Sequence, residues 1–216
     1  MNGSRLMDLA GWEAFVHGVF AITITLLVLN IDVPQVGDTP SSAALVDALL
    51  AEGPRYFAYV LSFMYVGVYW IATHRSLRMA RGIDHRFLVI GLVYLMAIAV
   101  IPFVSALLAE YIGADRNRDQ VVVVVFIGWQ LVVSALAFVS LLYSWQAGLM
   151  KPELEDAQVR RWLRLAGAGA VIWVAAMIAA AFIGAAALVF PALLLPAYLW
   201  DAPRASRRDP LERSLD

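Results

Sequence analysis

The sequence contains no cysteine, which excludes disulfide bonds, thiolate metal sites and cysteine nucleophiles. Charge is also scarce: 15% of the 216 residues are charged, against about 25% in an average soluble domain. The 16 basic and 17 acidic residues leave a net charge of −1, so no overall field attracts polyanions and no nucleic-acid partner is expected. Apolar residues are in excess in this chain, which does not fit a disordered tail, a nucleic-acid binder or a coiled coil.

Short catalytic and filter motifs are missing as well. The chain has no HExxH or GxSxG pattern and no glycine-rich phosphate loop. It has no TVGYG segment, which excludes a carbonyl-ring potassium filter of that type. We therefore expect neither an enzyme nor a cofactor, and no metal site.

Apolar residues, by contrast, make up 62% of the chain and lie in long blocks. A membrane-crossing helix needs about 20 mostly apolar residues, because every backbone amide in hydrocarbon must be paired. The blocks cover residues 11–31, 55–73, 87–109, 121–145 and 162–200. The last block is too long for one crossing and is predicted to turn near Gly184, although one long helix plus a re-entrant piece would fit as well. The prediction is an all-α polytopic membrane protein with six transmembrane helices.

The loop charges predict the orientation of these helices. Most of the basic residues fall in segments 75–86, 151–164 and 204–213, and cytoplasmic segments are enriched in Lys and Arg. The loop 32–53 carries only acidic charge and contains a short amphipathic helix with a serine cap. Its acidic residues are Asp32, Asp38, Asp47 and Glu52. Both termini are therefore predicted to be cytoplasmic, with a transmembrane domain over 1–200 and a polar tail over 201–216, in a cell membrane.

The first helix carries a narrow stripe of large apolar side chains. Ile22, Leu26 and Leu29 follow an i, i+4, i+7 spacing, and Gly18 continues the stripe toward the amino terminus. Thr25 lies at its edge. From spacing alone, an ordinary surface for lipid or helix packing explains this stripe at least as well as a functional one.

This stretch resembles the first helix of the transmembrane protein 175 family of potassium channels. Phe15 and the run from Gly18 to Leu29 match the family pattern at nearly every position, and Trp70 with His74 matches part of its second-helix motif. Three family positions differ: the Ser-Asp pair is Val16-His17, the upstream Arg is Gly11, and the first of two histidines is Thr73.

The resemblance implies a homotetramer around a central pore lined by four copies of the first helix. Ile22, Leu26 and Leu29 would form the constriction or gate, because narrow apolar rings lose their water and so block ions. Thr25 would supply a hydroxyl ring for selectivity. A potassium-preferring cation channel is therefore expected, with the lipid bilayer and monovalent cations as its partners and K⁺ as the permeant ion.

The altered residues predict a replacement for the polar network that holds the first helix in that family. Glu13 and His17, spaced i and i+4, would form a substitute pair near Trp70 and His74. His17 is expected to be a structural residue pointing into the bundle rather than a metal ligand.

Two other functions stay open from the sequence. A transporter of a small solute or of protons would need a coupling group, and no carboxylate occurs within residues 16–31, 56–73, 87–109, 121–145 and 165–200. A non-conducting membrane scaffold is the third interpretation, since the family Ser-Asp pair is replaced. Flux through reconstituted liposomes separates the three.

Overall fold

The chain folds into a bundle of helices in a computed structural model, which describes residues 9–34, 41–112, 116–154 and 156–189. Apart from turns and one isolated bridge, these residues are helical. The α-helices are α1 (Leu9–Leu26), α2 (Ser42–Ala51), α3 (Gly53–Met79), α4 (His85–Ala99), α5 (Ile101–Tyr111), α6 (Arg116–Gln146) and α7 (Asp156–Ile183). Short 3-10 segments, Leu27–Asn30 and Gly184–Leu188, extend α1 and α7.

Five helical segments of the described chain are long and apolar enough to cross a membrane. They are Leu9–Asn30, Gly53–Met79, His85–Tyr111, Asn117–Gln146 and Asp156–Leu188, and each falls on one of the predicted apolar blocks. Of the predicted sixth span, only the part up to Val189 is described, and the tail 201–216 lies outside the described residues. The all-helical membrane class is therefore confirmed, while the sixth crossing, the orientation and the tetramer stay predictions.

Local sequence signals explain where several helices begin and break. The Ser41 side chain accepts a hydrogen bond from the Ala44 amide at 3.1 Å and so caps α2, the short helix predicted in the acidic loop. Asp84 caps α4 in the same way through the Phe87 amide, at 2.8 Å. The third span is interrupted between α4 and α5 just before Pro102, because proline has no amide hydrogen to continue the helical ladder.

The turn predicted near Gly184 coincides with the end of α7. Gly184 has a φ of +54°, a left-handed conformation that favours glycine. The Asp119 carboxylate on α6 accepts a hydrogen bond from the Ala185 amide at 3.2 Å. A Cβ atom at position 184 would lie only 2.8 Å from that carboxylate, so the close approach of the two helices also requires glycine.

The core lies between α1, α3, α4, α5 and α6, with α7 packed mainly on α6. Its largest fully buried side chains include Phe126, Ile98 and Leu108. A few hydrogen bonds connect helices inside this apolar core, such as Ser62 Oγ to Ser105 Oγ at 2.9 Å. The indole of Trp129 likewise donates to the Ala97 carbonyl at 2.9 Å. These bonds satisfy polar atoms that the bilayer cannot satisfy.

The two ends of the bundle differ in charge. At one end, the basic loops after α3 and α6 pair through their backbones, with Arg81 N donating to Leu149 O and Lys151 N to Met79 O, both at 2.9 Å. At the opposite end, Asp32, Glu52 and Glu110 lie around Arg55. Which of the two ends faces the cytoplasm stays a prediction.

Candidate pore-lining face of the first helix

Helix α1 has one face packed against the rest of the chain. Val16, Phe20 and Thr23 are each 2% exposed, and Leu27 in the following turn is fully buried. This face contacts α3, α4 and α5. The four buried positions recur every three or four residues, which is the spacing of a single helix face.

The opposite face of α1 is left bare by the described residues. Ile22 is 61% exposed, Leu26 42% and Leu29 71%, and Thr25 is exposed among them. Phe15, at 50%, continues the same surface toward the start of the helix. The predicted constriction residues therefore lie together on the outside of the single chain, where either lipid or another copy of the chain can cover them. We call the surface of Ile22, Thr25, Leu26 and Leu29 the bare face of α1.

Thr25 is the polar group of this bare face. Its hydroxyl lies 3.0 Å from the Ala21 carbonyl and 2.9 Å from the Ile22 carbonyl, so the proton is donated to the helix backbone. The remaining lone pairs of the oxygen are free to accept. An exposed ring of such oxygens would be a set of acceptors, the kind of ligand that an alkali cation requires.

Two contacts hold α1 in this orientation. Trp12 packs directly on Gly91 of α4, where a Cβ atom would lie 2.5 Å from the indole ring. At the other end of the helix, the Asn30 side chain donates to the Pro102 carbonyl of α5 at 3.0 Å. Because Gly91 of α4 has no side chain and the third span is interrupted just before Pro102, α1 can pack closely on α4 and α5.

An ion-pair network fastens the acidic end of the chain. Arg55, at the start of α3, lies 3.2 Å from Asp32, 2.7 Å from Glu52 and 2.7 Å from Glu110. One guanidinium therefore joins the segment after α1 to α2, α3 and α5. Sequence reasoning missed this role, although Arg55 is conspicuous as a basic residue beside a purely acidic loop.

The four residues of the predicted network do lie together, at the end of the bundle near the basic loops. His17 points into the bundle, as predicted, with its ring centroid 6.0 Å from Trp70 and 5.5 Å from His74. Trp70 stacks on His74 at 5.6 Å. Within this cluster Glu13 Oε1 lies 3.7 Å from His74 Nδ1, beyond hydrogen-bond distance, so Glu13 reaches across to α3 rather than pairing with His17 along α1.

A further cavity of about 190 Å³ lies in the bundle and is lined by residues of α1, α3, α4, α6 and α7. Its walls are mostly apolar, with Arg75, Tyr69, Ser134 and Ser140 as polar lining residues. The sequence did not predict it. The small residues that line α7, such as Gly169, leave the space, but that signal is also the ordinary one for close helix packing.

The fold and the bare face define the class of this protein: a helical multi-pass membrane protein whose first span exposes an apolar face containing one acceptor. A family model, "Endosomal/lysosomal potassium channel TMEM175", matches residues 12–102, which include most of α1, the acidic loop and the Glu13 cluster. The crystal structure of a TMEM175 homologue from Chamaesiphon minutus, described as a lysosomal potassium-selective channel homologue, superimposes with a TM-score of 0.79. It is 27% identical, and the match covers 90% of this chain and 97% of that one. The predicted resemblance to the TMEM175 family is confirmed, in sequence over residues 12–102 and in fold over most of the chain.

Several curated proteins are similar in sequence to this chain over part of their length. A potassium channel from Streptomyces collinus is 40% identical over 129 residues, which are 60% of this chain and 60% of that protein. A potassium channel from Chamaesiphon minutus is 44% identical over 106 residues, 49% of this chain and 52% of its own length. The human endosomal/lysosomal proton channel TMEM175 is 49% identical over 67 residues, 29% of this chain and 13% of that protein. The matches thus span about half to 60% of the bacterial relatives and a small part of the human one.

Proposed function

We propose that the protein is a potassium-preferring cation channel whose pore is formed by the bare faces of four α1 helices. The observation that carries the proposal is the combination of three exposed large apolar side chains with an exposed threonine hydroxyl whose proton is donated to the helix backbone. The names of the bacterial relatives and of the superimposing homologue support the same function.

The apolar residues of this face would make the gate. Four copies of Ile22, Leu26 or Leu29 around an axis would form a narrow neck without hydrogen-bonding groups. Water leaves such a neck readily, and an ion in it loses its hydration without compensation. Rotating or separating the helices would then open the pore by letting water return.

Thr25 would supply selectivity within this neck. Because its proton is donated to the backbone carbonyls of Ala21 and Ile22, the oxygen can turn a lone pair toward the axis. Four such oxygens would replace part of the hydration shell of a cation. K⁺ gives up its water more easily than the smaller Na⁺, so a partial replacement favours K⁺ modestly.

The acidic end of the chain would raise the cation concentration at one pore mouth. Asp32, Glu52 and Glu110 surround the single guanidinium of Arg55, which leaves this end with excess negative charge. Asp47, exposed on α2, adds to it. Such a field attracts cations in proportion to its charge and weakens as salt screens it.

The basic test is ion flux in liposomes that contain the purified protein and a K⁺ gradient. Unitary current steps in a planar bilayer would support a channel, whereas slow saturable flux would point to a transporter. Liposomes that stay silent, with protein correctly inserted, would leave a membrane scaffold as the function.

A second test asks directly whether the bare face meets water or lipid. The chain has no cysteine, so a single introduced cysteine can be modified without background. We expect Leu26→Cys to react with a charged, membrane-impermeant thiol reagent and the reaction to block current. Val171→Cys, at a residue 68% exposed on α7, is the matched control for a surface not assigned to the pore. Equal protection of both cysteines would show that lipid covers α1 and would overturn the pore assignment.

A further inference from the structure

The cluster at the beginning of α1 contains a set of metal donors that the sequence did not predict. Glu13 and His17 lie one helical turn apart on α1, and His74 faces them from α3. The carboxylate oxygen and one ring nitrogen of each histidine all lie within 4.8 Å of one another. We propose that Glu13, His17 and His74 bind one divalent transition-metal ion of the Zn²⁺ type, which joins α1 to α3. This proposal does not depend on ion conduction.

Unused hydrogen-bonding capacity points to a ligand at this position. His17 Nε2 and His74 Nδ1 are both buried, and neither makes a hydrogen bond within the described chain. Buried polar atoms in folded proteins almost always have a partner, so two adjacent ring nitrogens without one require an explanation. A metal ion between them would satisfy both at once.

The donor types favour a borderline-soft cation. Two imidazole nitrogens and one carboxylate oxygen are common Zn²⁺ ligands, whereas Mg²⁺ and Ca²⁺ prefer sites made of oxygen alone. Ligands of a tetrahedral Zn²⁺ lie about 3.4 Å apart. The Glu13–His74 separation of 3.7 Å is already close to that value, and side-chain rotation can bring the remaining donors in by about 1 Å. Water would complete the coordination.

The surroundings of the cluster suit a bound cation. The Glu13 and His74 side chains are 30% and 34% exposed, so an ion can reach them. Trp70 stacks on the His74 ring with an angle of 16° between the planes and thereby holds the imidazole in one orientation. The charge of Arg75, the next residue along α3, is directed away to the face of Trp162, 5.4 Å from its centroid.

The test is Zn²⁺ titration of the full chain, purified without a polyhistidine tag and stripped with a chelator, with binding followed by calorimetry. The expected result is one Zn²⁺ per chain and a higher melting temperature, with neither effect for Mg²⁺. Glu13→Gln, His17→Ala and His74→Ala should each weaken Zn²⁺ binding by about tenfold or more. His85→Ala is the matched control: it removes the third of the three histidines, which is exposed at the start of α4, and should bind Zn²⁺ like the unaltered chain.

A conservative variant keeps the proposal testable if His17→Ala does not fold. His17→Cys should retain Zn²⁺ binding, because a thiolate is also a zinc ligand, and with Co²⁺ it should add a sulfur-to-metal absorption band absent from the unaltered protein. The absence of Zn²⁺ binding to the folded chain would overturn the proposal. Binding of equal strength in the Glu13, His17 and His74 variants, or binding that is lost in His85→Ala, would overturn it too.

Discussion

Helices α1 and α7 both expose a stripe of large apolar side chains, yet of the two only the stripe of α1 includes an exposed hydroxyl, that of Thr25. On α7, the bare residues include Val171, Ile178 and Phe182, which are 68%, 58% and 73% exposed. The exposed face of α7 carries no hydroxyl or charge between them. A bare apolar face is therefore compatible with lipid on either helix, and the exposed Thr25 hydroxyl is what distinguishes the face of α1 from that of α7.

The two helices are also held differently. Polar contacts tie α1 to its neighbours near both ends, through Glu13–His74 and through Asn30–Pro102. Helix α7 lies mainly along α6, and polar contacts tie its two ends to that same helix, through Trp145–Asp156 and through Asp119–Ala185, with the Arg75–Trp162 contact as a link to α3. A helix that lines a pore has to keep its register with its neighbours, and end contacts provide that more directly than an apolar stripe does.

The largest expected difference between the two helices concerns ion conduction. We expect Leu26→Ala or Ile22→Ala to raise single-channel conductance or open probability about tenfold, because a wider and shorter apolar neck holds water more easily. Ile178→Ala on α7 removes a similar exposed side chain and should leave conduction within about twofold, since it lies away from the proposed neck. If bilayer recordings show the same change in conductance for the α1 and α7 variants, the assignment of the pore to α1 is wrong.

The next effect concerns the anchoring of α1. Asn30→Ala removes the hydrogen bond to the Pro102 carbonyl and should lower the free energy of unfolding by about 1 kcal/mol. Denaturant titration in detergent measures the change. Val171→Ala, a substitution on the bare face of α7, should cost less than about 0.5 kcal/mol. If both variants unfold at the same denaturant concentration as the unaltered chain, the Asn30 contact contributes nothing to the stability of α1.

A smaller effect is expected where α7 is linked to α3. Arg75→Gln removes the cation from the face of Trp162 and should destabilise the protein by about 0.5–1 kcal/mol. Arg78→Gln removes an exposed basic residue of the same helix end and serves as the control. A melting temperature lowered equally by both substitutions would show that the general positive charge matters and the ring contact does not.

The smallest expected effect concerns the Thr25 hydroxyl. Thr25→Ala should reduce the K⁺/Na⁺ permeability ratio by about two- to threefold, measured from reversal potentials under bi-ionic conditions. Thr25→Ser keeps the oxygen and should preserve the ratio. Thr23→Ala alters the buried threonine on the other face of the same helix and should leave the ratio unchanged. A ratio that is the same in Thr25→Ala and in the unaltered protein contradicts the selectivity assignment.

Much of the fold was predictable because a bilayer allows few structures. Apolar blocks of sufficient length must become helices there, and each described span falls on such a block. Ser41 and Gly184 also carried readable local signals, as a helix cap and as a helix end. The inward direction of His17 followed from its position on the helix opposite Ile22.

The partners of individual side chains were not predictable in the same way. Spacing along α1 suggested that Glu13 pairs with His17, but the Glu13 carboxylate lies 3.7 Å from His74 on another helix. Arg55 was simply a basic residue beside an acidic loop until the fold brought Glu110 to it across the chain. Such contacts depend on how the helices are rotated and offset, which one-dimensional patterns do not contain.

The sequence by itself determined that this protein is a set of apolar helices with charged connections, because hydrophobicity and backbone pairing act locally and tolerate no alternative in a membrane. It also contained the pattern of α1 that points to the TMEM175 family. Only the tertiary structure decided which face of α1 is bare and which donors meet at its beginning. Those outcomes result from packing between residues distant in the chain, where shape and distance in three dimensions select the neighbours.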